Sequence, residues 1–449
     1  MEKKKKRSGF KAIITIIFVI LGIWLIGGLA NYICNIGLRN YINSFEAVEY
    51  DEDRLVPTIG EEGYYTFTTD RDLRIMHICD FHIGGGIFSY KRDKKSIYEA
   101  ITMLQKEKPD LVILGGDNTY PLFKPGYNGG GTFNNKMVAK TVISVFEHEG
   151  VYFSTVFGNH DTEFIDYYDR QDIGDLYMSD EYKFCIFKEE FTDPDAKTVP
   201  SVSNQCIIVK DGSGKITKLL MLLDTNAYED TGFLSSARML YDTIHPAQID
   251  WARGVIEELS EAQGLPEGEY LKSLVFIHIP VGEYQTAYDE LITDIKNEKG
   301  ELTGFEMNPN PENTVFLEGS WDEKKVYFGG ISNTDTAPED QDELFEVLAE
   351  DMHSAEGFFC GHDHVNNGVV LYKGVMLCYN YTIDNIAYGN EISAVGSQRG
   401  CSIITVSPDG SFTQQHKNAY RDYGCDPDKF VHVDVEGYYA PEIYRTYEH

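Results

Sequence analysis

Five short apolar runs in this chain each end in residues that commonly bind metal ions. The runs are Arg74–Cys79, Leu111–Leu114, Tyr152–Phe157, Ser273–Ile277 and Gly357–Cys360. The residues that follow them, in the same order, are Asp80-Phe81-His82, Gly116-Asp117, Gly158-Asn159-His160-Asp161, His278 and Gly361-His362-Asp363-His364. Since ligands in sheet-and-helix domains bind at the carboxyl ends of strands, this order predicts that these side chains meet in one site.

Helical patterns alternate with the apolar runs. Ile97, Ile101 and Leu104 recur at helical spacing, and Lys108-Pro109-Asp110 follows as a stop signal. The other predicted elements are helices over Lys136–His148 and Pro246–Leu259 and a strand over Leu219–Leu223. This alternation predicts a layered α/β domain in which helices cover the sheets.

The pooled polar side chains form a ligand set for two divalent ions. Two Asp, one Asn and four His offer oxygen and nitrogen without thiolate, which suits Mn, Fe, Zn or Ni. A shared Asp could bridge ions roughly 3.5–4 Å apart, a spacing that stabilises both oxygens of an in-line displacement. Such ions can lower the pKa of a bound water to about 7 and provide a hydroxide nucleophile. Each motif alone is usually structural, so the prediction of a two-metal site depends on all five together.

The charge balance predicts long-range repulsion from anionic partners. The formal net charge is −33, and residues 1–11 carry six basic groups against one acidic group. The remaining chain is therefore still more acidic and would repel nucleic-acid backbones and anionic membrane surfaces through its overall field. A phosphate substrate would need a local positive charge, which the predicted metal ions would provide.

The eight cysteines have spacings that predict no disulfide, and no pattern indicates an oligomeric state.

The N-terminus predicts a membrane anchor. Five basic residues at positions 3–7 precede an apolar run from Ala12 to Ala30, whose 19 residues contain Thr15 as the only polar side chain. A helix of that length spans roughly 28 Å, close to the hydrocarbon thickness of a bilayer. The positive-inside rule predicts a cytoplasmic N-terminus and an extracytoplasmic body on the cell membrane. The alternative is a signal peptide cleaved near Ala30, which would release a secreted protein.

With these residues in view, the chain resembles the calcineurin-like metallophosphoesterase superfamily, whose pattern is D-x-H, GD, GNH(D/E), H and GHxH. The match covers roughly Arg74 to Thr405. The resemblance implies a four-layer αββα sandwich, of α+β or layered α/β class, with a dinuclear centre. It implies that the first ion is held by Asp80, His82 and His364, that Asp117 bridges, and that Asn159, His278 and His362 hold the second ion. It also implies that His160, oriented by Asp161, contacts the phosphate and protonates the leaving alkoxide.

Other segments look like the purple-acid-phosphatase-like branch that retains D-x-H. They are Leu223-Asp224-Thr225-Asn226, His245-Pro246-Ala247-Gln248-Ile249-Asp250-Trp251, Phe276-Ile277-His278-Ile279-Pro280 and Gly361-His362-Asp363-His364-Val365-Asn366-Asn367. Tyr120 also fits the GDxxY motif of true purple acid phosphatases, in which this Tyr binds iron. Those enzymes have D-x-G where this chain has His82, so Tyr120 is interpreted as a packed aromatic residue.

The expected domain organisation follows from these assignments. It comprises a basic stub and anchor at 1–34, a connector at 35–70, a catalytic domain at 71–410 with insertions at about 162–200 and 281–356, and a C-terminal extension at 411–449 that packs on the catalytic domain. The expected function is a phosphomonoesterase in which a metal-bridging hydroxide attacks phosphorus in line. The alternatives are a phosphodiesterase acting on nucleotide or lipid-headgroup diesters, and a surface binding protein with a degenerate site.

Overall fold

The computed structural model contains both helices and sheets in the part of the chain that it describes. The described residues are 2–51, 53–120, 131–163, 165–192, 201–228, 241–299, 302–322, 343–364, 367–387, 399–432 and 444–446. Every predicted ligand falls within these ranges. The predicted insertions and the C-terminal extension fall within them only in part.

The described chain forms six α-helices, one π-helix and twenty strands. The helices are α1 (Glu2–Ile42), α2 (Tyr90–Glu107), α3 (Asn135–Glu149), α4 (Arg170–Tyr177), α5 (Pro246–Ala262), α6 (Glu283–Leu291) and the π-helix Glu346–Asp351. The strands are β1 (Thr58–Ile59), β2 (Tyr65–Thr68), β3 (Leu73–Ile78), β4 (Leu111–Gly115), β5 (Tyr152–Val156), β6 (Gln205–Lys210), β7 (Ile216–Leu222), β8 (Ser273–Phe276), β9 (Ile292–Lys296), β10 (Leu302–Met307), β11 (Thr314–Glu318), β12 (Ser320–Asp322), β13 (Ala355–Cys360), β14 (Val369–Tyr372), β15 (Val375–Tyr379), β16 (Gly400–Val406), β17 (Phe412–Asn418), β18 (Cys425–Asp426), β19 (Val431–His432) and β20 (Tyr444–Thr446). The strands and helices predicted from the apolar runs are all present.

Two sheets carry most of the strands. The five-stranded sheet has the order β17-β16-β3-β4-β5, with β3, β4 and β5 parallel. The nine-stranded sheet has the order β1-β2-β6-β7-β8-β13-β15-β14-β11, and its centre from β7 to β15 is parallel. Three two-stranded ribbons, β9 with β10, β12 with β20 and β18 with β19, complete the described sheets.

The hydrophobic core lies in three layers between and outside the sheets. Ile75 of the five-stranded sheet shares the middle layer with Leu220 and Phe359 of the nine-stranded sheet. A second layer lies between the five-stranded sheet and helices α2 and α3. A third lies between the nine-stranded sheet and helices α5 and α6 with the π-helix. This arrangement is a four-layer αββα sandwich, which confirms the predicted fold class.

The N-terminal helix is one continuous element. Within α1, the segment Ile13–Ile42 is long and apolar enough to cross a membrane or to act as a signal sequence. Its C-terminal end packs on α2 and α3, where Leu38 and Ile42 are fully buried. Strands β2 and β17, from the predicted connector and extension, belong to the two main sheets, and the domain boundaries stay a prediction. All eight cysteines are described and free.

A buried ion pair fastens the loop after β5 to the nine-stranded sheet. Arg170 Nε donates to Asp224 Oδ2 at 2.9 Å and Arg170 Nη2 donates to Oδ1 at 2.5 Å, and both side chains are fully buried. Arg170 also donates to the carbonyls of Phe157 and Gly158, next to Asn159. Burial would raise the pKa of Asp224, but the Arg170 guanidinium holds it below its usual value. The pair therefore fixes the start of the loop that carries three predicted site residues, Asn159, His160 and Asp161.

We expect Arg170→Met to destabilise the fold by about 3–5 kcal/mol, because it leaves the Asp224 carboxylate buried without its partner charge. The free energy of unfolding of the full chain in detergent measures this loss. The matched control is Arg253→Met, whose partner Asp250 is exposed; its loss should stay below about 1 kcal/mol. Equal losses in the two variants would show that burial of the pair is unimportant.

Candidate metal centre

Two groups of side chains, all buried except the half-buried His362, have the composition of metal sites. One group is Asp80, His82 and His364, and the other is Asp117, His278 and His362; within each group the potential ligand atoms lie within 4.8 Å of one another. Each group takes residues from the ends of strands in both sheets. The structure therefore brings together six of the seven predicted ligands in two triads.

Asp117 lies between the two triads. Its Oδ2 atom is 3.1 Å from His82 Nε2 in one triad and 3.3 Å from His278 Nε2 in the other. Its Oδ1 atom accepts a hydrogen bond from the backbone N–H of His160 at 2.7 Å. One carboxylate thus reaches both groups, which is the position that a bridging ligand requires.

The backbone around the site is held in unusual conformations. Four of the predicted ligands have positive φ: Asp80 (55°), His82 (48°), Asp117 (52°) and His362 (80°). Non-glycine residues rarely adopt this left-handed region, and such residues cluster at functional sites. The strand ends therefore turn sharply, so that consecutive ligands face one pocket.

Glycines allow the site loops to approach one another closely. A Cβ atom on Gly116, whose φ is +89°, would lie 2.6 Å from His278 Nδ1. A Cβ atom on Gly158 would lie 2.1 Å from Asp117 Oδ1. The glycines of the Gly116-Asp117 and Gly158-Asn159 motifs are therefore required by the packing of neighbouring ligands.

Several buried atoms of the site lack hydrogen-bond partners in the described chain. They are Asn159 Oδ1, His278 Nε2, His362 Nδ1 and His82 Nδ1. Buried polar atoms are costly to leave unsatisfied, so their concentration here calls for a ligand. His278 is suitably oriented, since its Nδ1 lies 2.8 Å from the Gly115 carbonyl and its Nε2 faces Asp117. The residues thus fit two metal ions, with Asn159 as an oxygen donor.

The electrostatics of the pocket favour cations. Burial would raise the pKa of Asp117, but His278 and His160 hold it well below its usual value. Burial would lower the pKa of His278, but Asp117 raises it to about 9. Burial, reinforced by His278, lowers the pKa of His362 to about 3, so this imidazole is neutral. The buried carboxylates therefore attract positive charge while His362 keeps a lone pair for coordination.

Asp384 supports the first triad and was not anticipated from the sequence. Its Oδ2 atom lies 3.1 Å from His364 Nδ1, and its Oδ1 atom lies 3.9 Å from His82 Nδ1. Burial would raise the pKa of Asp384, but His364 and His82 lower it to about 2. A carboxylate behind a ligand histidine fixes the ring and its tautomer. Asp384 is therefore placed to orient His364, and its own apolar run, β15, ends only five residues earlier.

His160 is positioned differently from the expectation. Its Nδ1 atom lies 2.5 Å from Glu163 Oε1, so Glu163 rather than Asp161 contacts the ring. Asp161 instead accepts hydrogen bonds from the backbone N–H groups of Gly158 at 2.8 Å and Thr119 at 3.0 Å. Because Asp161 directly follows His160 in the chain, its carboxylate is directed to the backbone of the loop and not to the His160 ring. Its contribution is to the shape of that loop, and the catalytic roles stay a prediction.

Two tyrosines complete the surroundings of His160. Tyr228 Oη donates to Glu163 Oε1 at 3.1 Å and accepts from Asn159 Nδ2 at 3.3 Å, so it links a predicted ligand to the His160 partner. The Tyr120 ring stacks on His82 at 4.9 Å and packs edge-on against His160 at 4.9 Å. Tyr120 is buried, and these contacts are those of a packed aromatic residue.

Comparison with known proteins gives the class of this protein. Residues 73–239 match the family model of the calcineurin-like phosphoesterases. Probable inactive purple acid phosphatase 14 of Arabidopsis thaliana is 24% identical over 341 residues, which are 70% of this chain and 71% of that protein. Probable inactive purple acid phosphatase 29 of the same plant is 20% identical over 374 residues, covering 78% of this chain and 81% of that protein. A dimetal phosphatase from Danio rerio aligns with a TM-score of 0.43 and 12% identity, covering 78% of this chain and 97% of that chain.

Residues 73–239 of the chain carry a calcineurin-like phosphoesterase domain, as the motifs predict. The relatives named above are purple acid phosphatases by name, which agrees with the predicted superfamily. These similarities support a metal-dependent phosphoester hydrolase that binds divalent ions.

We expect Asp384→Ala to weaken metal binding at the first triad by about 10–100-fold, because it removes the acceptor that orients His364. Titration of the metal-free full chain with Mn²⁺, followed by calorimetry, would measure the affinity. The control is Asp409→Ala, whose carboxylate accepts hydrogen bonds only from Ser411 in an exposed turn. Unchanged affinity in Asp384→Ala would remove this residue from the metal centre.

Proposed function

We propose that this protein is a metal-dependent phosphomonoesterase that holds two divalent ions through Asp80, His82, Asp117, Asn159, His278, His362 and His364. The observation that carries the proposal is the pair of largely buried triads, in which the Asp117 carboxylate lies near a histidine of each triad. The ligand chemistry accepts Mn, Fe, Zn or Ni. When bound, two such ions would neutralise the phosphoryl oxygens and activate the water that attacks phosphorus in line.

The residues of the chain supply the remaining chemistry. His160 is the candidate proton donor to the leaving alkoxide, since 13% of its side chain is exposed while that of His278 is fully buried. The Glu163 carboxylate at Nδ1 would hold the ring in place. Tyr228, through its hydrogen bond to Glu163, would fix that carboxylate. Asp161 would keep the backbone N–H of His160 directed at Asp117 by fixing the loop.

The same proposal places the protein in a membrane. Helix α1 would act as a single-pass anchor, with the basic residues 3–7 in the cytoplasm and the catalytic domain outside. The alternative is cleavage near Ala30 and secretion. Mass spectrometry of the N-terminus from a membrane fraction distinguishes the two, because a cleaved chain would lack residues 1–30.

The names of the relatives bear on the choice of function in two ways. The words acid phosphatase support hydrolysis of phosphomonoesters over diesters. The word inactive in the same names favours the second candidate, a surface binding protein with a degenerate site. This chain retains every element of the superfamily motif, which supports an active enzyme.

We expect His160→Ala to lower kcat by about 10²–10⁴-fold while the metal content is retained, because proton donation is lost without a ligand. Asp117→Ala should instead lose both activity and bound metal, since it faces both triads. Metal analysis and turnover of an aryl phosphate with Mn²⁺ test the pair of variants. Equal metal loss in both variants would overturn the separate roles.

We expect the full chain to hydrolyse an aryl phosphomonoester faster than the matching aryl phosphodiester, when both are compared as kcat/KM with Mn²⁺. A faster diester reaction would establish the phosphodiesterase alternative. Absence of turnover together with fewer than two ions per chain would establish the binding-protein alternative.

A further inference from the structure

Helix α1 enters the catalytic domain without a break. Asn35 is fully buried; its Nδ2 donates to the Gly85 carbonyl at 2.6 Å, and its Oδ1 accepts from Thr141 Oγ1 at 2.9 Å. These two contacts join the helix to the loop before α2 and to helix α3. The direction of α1 therefore fixes the orientation of the domain relative to any membrane that the helix crosses.

Helix α2 runs in the same direction as α1. Near its start, the Ile87 N–H donates to Asn31 Oδ1 at 3.2 Å. One turn into α2, Lys94 Nζ lies 4.0 Å from the centre of the Tyr41 ring. From the start of α2 onward, the contacted residue of α1 changes from Asn31 to Tyr41. Residue 31 directly follows the predicted apolar span, so α2 begins near that span.

Helix α3 has the same direction. Thr141 contacts Asn35 at 2.9 Å, and seven residues later His148 Nε2 lies 3.0 Å from the Phe45 carbonyl. Strands β3 and β4 precede α2 and α3, and in such units the strand runs opposite to the helix that follows it. The carboxyl ends of these strands, with Asp80 and Asp117, consequently face the apolar span of α1.

Exposed apolar side chains lie at this same edge. We define the apolar rim as Ile87, Phe88, Phe133 and Tyr167, all of which are exposed, with Phe88 at 75%. The Tyr167 N–H donates to the Phe133 carbonyl at 2.9 Å, which joins two of the rim loops. The Tyr167 ring lies 6.2 Å from the ring of Trp24, within the predicted span. Trp24 lies seven residues before Asn31 on α1, which is about 10 Å along the helix axis. The rim therefore extends about 10 Å from Asn31 toward the N-terminus of α1.

Basic residues adjoin the rim in this acidic protein. Lys91 and Arg92 follow Phe88 in the first turns of α2, and Lys136 follows Phe133 in the first turn of α3. Asp93, in the same turn of α2, is buried and accepts from the N–H groups of Gly84 and Gly85. Aromatic side chains suit the interfacial layer of a bilayer, and basic groups beside them would contact the phosphates of the lipid headgroups.

The apolar rim lies on the loops that carry predicted site residues. Phe88 follows His82 by six residues, and Tyr167 follows Glu163, the partner of His160, by four residues. Because a chain extends at most about 3.6 Å per residue, Phe88 lies within roughly 22 Å of His82. A phosphate in the headgroup layer at Phe88 would therefore lie within about that distance of the first triad.

We propose that the apolar rim inserts into the headgroup layer of the membrane that α1 crosses, and that the substrate is a phosphoester carried by a lipid headgroup. The bilayer is the occupant that the rim fits, because the rim is continuous with the apolar surface of α1. The substrate class rests on the proposed phosphoester hydrolysis. The docking of the rim does not rest on that hydrolysis, since it follows from the contacts of α1.

Fluorescence quenching tests the docking without reference to activity. The full chain with Trp24→Phe and Phe88→Trp is reconstituted in vesicles of phosphatidylcholine and phosphatidylglycerol with brominated acyl chains. The control carries Val315→Trp in the same background; Val315 is 50% exposed on β11 and pairs with Leu371, near the amino end of β15 and away from the metal centre. We expect the added emission to be quenched at position 88 and not at position 315. Equal quenching, or none at position 88, would overturn the docking.

Substrate competition tests the substrate class in the same vesicles. The probes are phosphatidic acid in the bilayer and a soluble aryl phosphate. We expect Phe88→Asp to lower the ratio of lipid to soluble turnover by about tenfold, because a charged rim no longer inserts, and Val315→Asp to leave the ratio unchanged. An unchanged ratio in Phe88→Asp, or turnover of the soluble ester alone, would overturn the lipid substrate. If the unmodified chain hydrolyses neither ester, the proposed hydrolase is refuted. The quenching experiment would still decide whether the rim docks on the membrane.

Discussion

The contact between the carboxyl ends of the two sheets is the constraint on which the site depends. The His362 N–H reaches the Asp80 carboxylate at 3.1–3.2 Å, and His278 Nδ1 lies 2.8 Å from the Gly115 carbonyl. Each triad of potential ligands combines residues of both sheets. Neither sheet could form either triad by itself. The buried middle layer of the sandwich is therefore a condition for the metal centre as well as for stability.

The acidity of the chain and the charge of the site are compatible because they act over different distances. A net charge of −33 creates a repulsive field at long range, which salt screens within about 10 Å. Inside the pocket, Asp80 and Asp117 are buried and face histidines. Buried charges are screened much less, so a cation there is held by its immediate neighbours. The fold would thus hold cations in a pocket of an otherwise acidic protein.

The sequence predicted the sheets and six of the clustered ligands because both depend on local patterns. Apolar runs define strands, and motif residues at their carboxyl ends converge when the strands are parallel. The partners of these residues depend on tertiary contacts. Asp384 approaches His364 from the loop after β15, and the available signal is a further apolar run, Val375–Tyr379, with a polar end. Glu163 replaces Asp161 at His160 because the loop turns back after three residues, and no periodic pattern encodes such a turn.

The polarity of the strands also decides which edge of the sheets faces the apolar segment of α1. Ligands lie at carboxyl ends, and the helix after each strand begins at that edge. Contacts at Asn31 and Asn35 place the beginnings of α2 and α3 beside the end of the apolar segment of α1. Reversing either helix relative to α1 would carry the site to the far side of the sheets, about 17–20 Å away for strands of this length. A short set of side-chain contacts on one helix thus directs the carboxyl-end edge of the sheets toward the apolar segment of α1.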